Sequence, residues 1–151
     1  MKNLTLVFIL FATLLTVNAV PLVKRTTKFD ACPVEGVPQI DVLMNPDPPV
    51  AGKTDTFDVS GKLQHDITAG TTILGIGFAD QAKNPIGNPY IQPFDKSFPA
   101  NTPFSIEAKD VPVPDNLPDS YYIIAIVGDP TNDPNNPIDV YGCALATVGT
   151  V

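Results

Sequence analysis

The sequence of 151 residues predicts an all-β fold, a sandwich or a barrel, and three observations carry the expectation. From Val37 onward, short runs of β-branched and aromatic residues are separated by clusters of Pro, Gly, Asn and Asp, the punctuation of strands and turns. The 17 prolines and 10 glycines break the chain every few residues, and both are costly inside a helix. Apolar residues make up 44% of the chain against 17% charged, so one domain of this length can build a hydrophobic core. No internal repeat is visible, and beyond the N-terminal segment no helical periodicity extends over two turns, so helix should be nearly absent.

The first segment is expected to lie outside that fold. Met1-Lys2 supplies a positive start, Leu4 to Leu15 is an almost unbroken apolar run, and Val17-Asn18-Ala19 offers small residues suited to signal-peptidase cleavage. The run is shorter than the roughly 20 apolar residues of a membrane-spanning helix, so residues 1–19 read as a secretory signal peptide. The dibasic pair Lys24-Arg25 resembles the processing site of eukaryotic secretory pro-proteins, which makes 20–25 a candidate pro-segment and 26–151 the folded domain. The expected location is therefore secreted, or the lumen of a vacuole- or lysosome-like compartment. The C-terminal ATVGTV is far too short for a GPI signal, and the one N-x-S/T sequence, Asn3-Leu4-Thr5, lies inside the signal itself.

A short strand is expected around Lys28 to Cys32. Gln39 to Met44 alternates, with Ile40, Val42 and Met44 on one face, and stops at Asn45-Pro46-Asp47-Pro48-Pro49 because proline cannot donate to a central ladder. Thr54 to Leu63 alternates most cleanly, with Phe57, Val59, Gly61 and Leu63 inward and Thr56, Asp58, Ser60 and Lys62 outward. After a turn at Asp66 to Gly70, Thr71 to Ala79 puts Leu74, Ile76 and Phe78 on one side and Ile73, Gly75 and Gly77 on the other. Those glycines leave a shallow outer face or let another backbone come close.

Asp80 to Asn101 holds four prolines and no sustained alternation, and is expected to be a long irregular loop of the functional or mobile kind. Phe104, Ile106 and Ala108 mark a short strand, followed by a proline-rich connection from Val111 to Ser120. Tyr121 to Gly128 (YYIIAIVG) is apolar on both faces, as expected of a central strand covered on both sides. Asp129 to Pro137 is a turn cluster, and Val140 to Val148 closes the fold.

In an exported chain the even pair Cys32 and Cys143 is expected to be bonded, tying the first segment to the last. The net charge is −7, and loss of Lys2, Lys24 and Arg25 with the leader takes it to −10. A nucleic-acid partner is not expected, because the basic face that neutralises phosphates is missing. One His and two Cys are too few for a structural zinc site, and neither metal nor cofactor is expected. His65 has no identifiable nucleophile or orienting partner, and no serine stands in a G-x-S-x-G context, so the chain is not expected to be an enzyme.

Three segments stand out: Gln39 to Thr68, with its Asn45–Lys53 proline turn and Phe57-x-Val59-x-Gly61 strand, Lys109–Pro114 followed by Leu117–Tyr122, and the terminal Tyr141–Val148 strand with its cysteine. Together they resemble the MD-2-related lipid-recognition (ML) family, in particular its fungal branch of Niemann-Pick C2-like phosphatidylglycerol/phosphatidylinositol transfer proteins. Family members commonly carry further cysteines in mid-chain, and residues 80–108 here have none. The resemblance implies an immunoglobulin-like two-sheet sandwich with a lipid cavity between its sheets. It further implies a phospholipid or sterol ligand, held and transferred without chemical conversion by a monomer that touches membranes transiently.

The inward candidates for such a site are Val42, Phe57, Val59, Leu74, Ile76, Phe78, Ile106, Ile124 and Ile126, with no tryptophan to plug the centre. Periodicity does not choose between a hollow interior and an ordinary solid core. A solid core would suit a recognition protein that binds protein or glycan through its loops. Lys53 and Lys83 are the cations nearest a lipid phosphate in this reading. With no polybasic patch, tight docking to anionic membranes is not expected.

Overall fold

The structure, a computed structural model, describes residues 27–149; the expected signal peptide and pro-segment lie outside the described residues. Eight strands follow one another along the chain: β1 (Phe29–Ala31), β2 (Asp41–Asn45), β3 (Thr54–Lys62), β4 (Ile73–Ala79), β5 (Pro85–Pro93), β6 (Pro103–Pro112), β7 (Tyr121–Pro130) and β8 (Ile138–Val148). They form a β-sandwich of two antiparallel sheets, one ordered β1-β8-β7-β4-β5 and the other β2-β3-β6.

The alternation of apolar residues becomes the inner wall of each sheet. In the smaller sheet Val42 pairs with Val59, which pairs in turn with Ile106, so one cross-strand row faces the interior. In the larger sheet Leu74 pairs with Val127, Ile76 with Ala125 and Phe78 with Ile123, and all six are buried. The two walls meet in one continuous apolar cluster among the described residues. At one end it is closed by Phe94, Phe98 and Phe104, whose rings meet edge to face at 5.9 to 6.4 Å.

Two expectations are corrected. The stretch from Asp80 to Asn101 is not one long loop, because β5 occupies Pro85–Pro93. Proline is tolerated there because β5 is the edge of its sheet and carries a bulge opposite Ile76/Phe78, so the missing N–H groups leave no central ladder unpaired. Nor is β7 covered on both sides. It is central, between β4 and β8, yet Tyr122, Ile124 and Ile126 are only half-buried.

Cys32 and Cys143 are bonded, with their Cα atoms 5.7 Å apart across a separation of 111 residues. A pair of this kind persists in an oxidising compartment, secreted or lumenal. Beside it the backbone changes sheets: Cys143 N donates to Pro38 O at 3.2 Å, Ile40 N donates to Cys143 O at 3.3 Å, and the chain then enters β2.

Candidate functional site

Seven of the nine predicted lipid-contacting residues stand on the inner walls. Val42, Phe57, Val59, Leu74, Ile76 and Phe78 are buried, and Ile106 is half-buried against the same cluster. Ile124 and Ile126 are a correction, for they point to the outside of the larger sheet. Register decides this: Ile124 pairs with Gly77 and Ile126 with Gly75, and partners directly opposite in an antiparallel ladder share a face. Their neighbours Ile123, Ala125 and Val127 hold the inner positions, each fully buried.

Besides a concavity of about 390 Å³ between Thr27–Phe29 and Gln39–Leu43, two others bear on these walls. The first, of about 610 Å³, lies at the seam where the edges β5 and β6 face each other. It reaches from Gly87 and Asn88 of β5 to Lys53, Thr54 and the Pro112–Asp115 stretch, so both sheets line it. Along this seam the strands make no backbone ladder. A side-chain bond, Gln92 Nε2 donating to Glu107 O at 3.1 Å, joins them. The second concavity, of about 260 Å³, runs over Gly75 and Gly77 on the outer face and includes Ile124, Ile126 and Lys83.

One polar side chain intrudes on the inner wall. Asp55, 2% exposed, sits at the start of β3 opposite Val111. Its Oδ1 accepts from Thr56 N at 2.7 Å, and its Oδ2 has no hydrogen-bond partner among the described residues. Burial pushes the Asp55 carboxyl above the usual carboxylate range, outweighing the backbone hydrogen bonds that pull it down. Tyr121 lies close enough to feel it, and burial, then the charges of Asp55 and Asp47, raise the Tyr121 phenol. Sequence reading passed over Asp55, although the signal was present: the alternation that turns Phe57 and Val59 inward also turns Asp55 inward.

At the opposite end Thr72, fully buried, donates to Asp129 Oδ1 at 2.6 Å, and Tyr141 Oη donates to Asp129 Oδ2 at 3.2 Å. Burial, then the Asp129 charge, raises the Tyr141 phenol. Asp129, expected to begin a turn cluster, instead lies in β7 and ties Thr72, just before β4, to Tyr141 of β8. His65 is exposed and stacks on Tyr141 with ring centroids 4.3 Å apart and planes 11° from parallel.

No family model matches the chain, and no curated protein matches it.

Proposed function

We propose that this is a secreted lipid-binding and transfer protein that holds a phospholipid or sterol between its sheets and carries it without chemical conversion. The observation that carries the reading is the seam between β5 and β6, where two sheet edges face each other unladdered beside a concavity of about 610 Å³. That volume falls within the range of ligand pockets. Lys53 on its wall supplies a cation for a lipid phosphate. The likeness of Gln39–Thr68, Lys109–Tyr122 and Tyr141–Val148 to the ML family supports the same reading.

The inner walls touch each other, so a lipid enters only by parting the sheets along this seam. Burying alkyl chain is worth about 0.8 kcal/mol per methylene, so a dozen methylenes offset the wall contacts given up. Asp55 places an unpaired acceptor oxygen on an otherwise apolar wall, where a lipid hydroxyl would donate to it.

The continuous core cluster favours one alternative: a solid-cored secreted sandwich that binds protein or glycan through its loops. Solvent extraction of the purified protein followed by mass spectrometry separates the two. The carrier yields stoichiometric lipid, or takes up a fluorescent phospholipid or sterol once stripped. A protein that yields none and takes up neither is the solid-cored binder.

A further inference from the structure

The outer groove of the larger sheet is built rather than incidental. Gly75 and Gly77 form its floor on β4; Ile124 and Ile126 of β7 wall one side, and Pro89 and Ile91 of β5 the other. A Cβ built on Gly77 meets nothing within 4 Å, so the missing side chain is what leaves the space open. Ile91 stands 54% exposed at the rim, an apolar side chain with no cover. Over Gly75 the Ile126 side chain closes in, 3.1 Å from where a Cβ would stand, so the open floor lies at Gly77 and runs towards Ala79, with Pro89 and Ile91 continuing the apolar wall.

Lys83 closes the β4–β5 end of this trough. Its backbone is held at φ 67° in the turn, with Lys83 N donating to Asp80 O at 2.9 Å. The neighbouring carboxylate is engaged elsewhere: Asp80 accepts from Asn84 N at 2.8 Å and Asn84 Nδ2 at 3.2 Å. Among the described residues Lys83 has no ion-pair partner. The groove is therefore an aliphatic channel with an unpaired ammonium at one end, complementary to an amphiphile with one tail and one negative charge.

We propose that this groove is a second binding site, separate from the space between the sheets, for the extended chain of a free fatty acid whose carboxylate meets Lys83 Nζ. Size selects this occupant. At about 260 Å³ the groove falls just below the usual pocket range, too small for a sterol or a two-chain phospholipid. A neutral alkane would make no use of Lys83.

The test is displacement of a fluorescent long-chain carboxylate, cis-parinaric acid, from the mature secreted protein by a series of saturated fatty acids. Affinity should rise with chain length by up to about fourfold per methylene and level off once the trough is full. Gly77→Val fills the floor and should weaken carboxylate binding at least tenfold. It should keep or raise the melting temperature, because a β-branched residue suits a strand, and leave uptake of a two-chain phospholipid analogue unchanged. Lys83→Gln should weaken the carboxylate about two- to fivefold and leave the fatty alcohol of equal length unaffected. If Gly77→Val does not fold, Ile91→Asp on the exposed rim should give the same loss.

Wild-type protein that binds no carboxylate overturns the proposal, as does a folded plugged variant that binds it normally. Loss of carboxylate and phospholipid binding together overturns it too, since the groove would then belong to the inter-sheet site. If carboxylate binds while no phospholipid or sterol is ever taken up, the groove stands and the carrier reading falls.

Discussion

The two seams of the sandwich are closed by different means. Where β8 approaches β2, the backbone itself crosses: Pro38 and Ile40 exchange hydrogen bonds with Cys143, and the bond from Cys32 to Cys143 staples the crossing. Where β5 approaches β6, the edges are joined by the amide of Gln92 on the carbonyl of Glu107, with half-buried Tyr90 and Ile106 nearby. In the carrier proposed above, the covalent seam would serve as the hinge and the seam held by side chains as the edge that opens. Sandwich geometry alone, with its gap of about 10 Å, provides neither.

Removing the staple should have the largest effect. Cys32→Ser with Cys143→Ser releases a loop of more than 100 residues in the unfolded chain, costing about 4 to 5 kcal/mol on the chain-entropy account. A thermal melt should fall by more than about 10 °C. A drop of only a degree or two would mean that the backbone crossing alone holds the hinge.

Next comes the aromatic end of the opening seam. Phe94→Ala removes a buried ring that meets both Phe98 and Phe104, and should cost about 3 to 4 kcal/mol in guanidinium unfolding. A loss below about 1 kcal/mol would mean that this end is already loose.

Back at the hinge, a Cβ on Gly142 would stand 2.7 Å from both Ile40 Cγ2 and Leu63 Cδ2, each in a buried side chain. Gly142→Ala should therefore cost about 1 to 3 kcal/mol, read from the denaturation midpoint. An unchanged midpoint would show slack around Gly142.

Gln92→Ala should change stability by no more than about 1 kcal/mol, the net worth of an ordinary hydrogen bond. If the seam is the way in for lipid, the same variant should take up a fluorescent phospholipid faster than wild type in stopped-flow mixing. Equal rates would place the way in elsewhere.

The last test is a slope rather than a step. Asp55 lies on β3, which pairs with β6 of the opening seam, and its folded pKa is raised by burial. The folded protein therefore binds this proton more tightly than the unfolded chain does. The stability it contributes is fully present below the unfolded pKa and is lost as pH rises through the raised folded value. Denaturant midpoints measured across that window should fall with rising pH in wild type and flatten in Asp55→Asn. A wild-type slope that survives the substitution would assign the effect to another group.

Legibility differed along the chain for physical reasons. Thr54–Lys62 was readable because one face is polar, so each apolar residue marks its own side. Tyr121–Pro130 was readable as a strand but not in phase, since apolar residues occupy consecutive positions and Ile123 and Ile124 carry the same local signal. β5 was hidden because its prolines at 85, 89 and 93 are the residues that usually end strands, and only an edge position excuses them. The outer groove was half legible: Gly75 and Gly77 announced a shallow face, while the walls that make it a channel come from β5 and β7.

Composition and alternation by themselves determined the all-β class, most strand positions, the inward faces of β2, β3, β4 and β6, and the bonded cysteine pair. These follow from local properties: a two-residue period, turn chemistry, and the pairing of two thiols in an oxidising compartment. Tertiary structure alone decided which side of β7 faces the interior and that a proline-rich segment forms an edge strand. Each of those depends on which strand lies alongside and in what register, a relation between residues dozens of positions apart that no local pattern encodes.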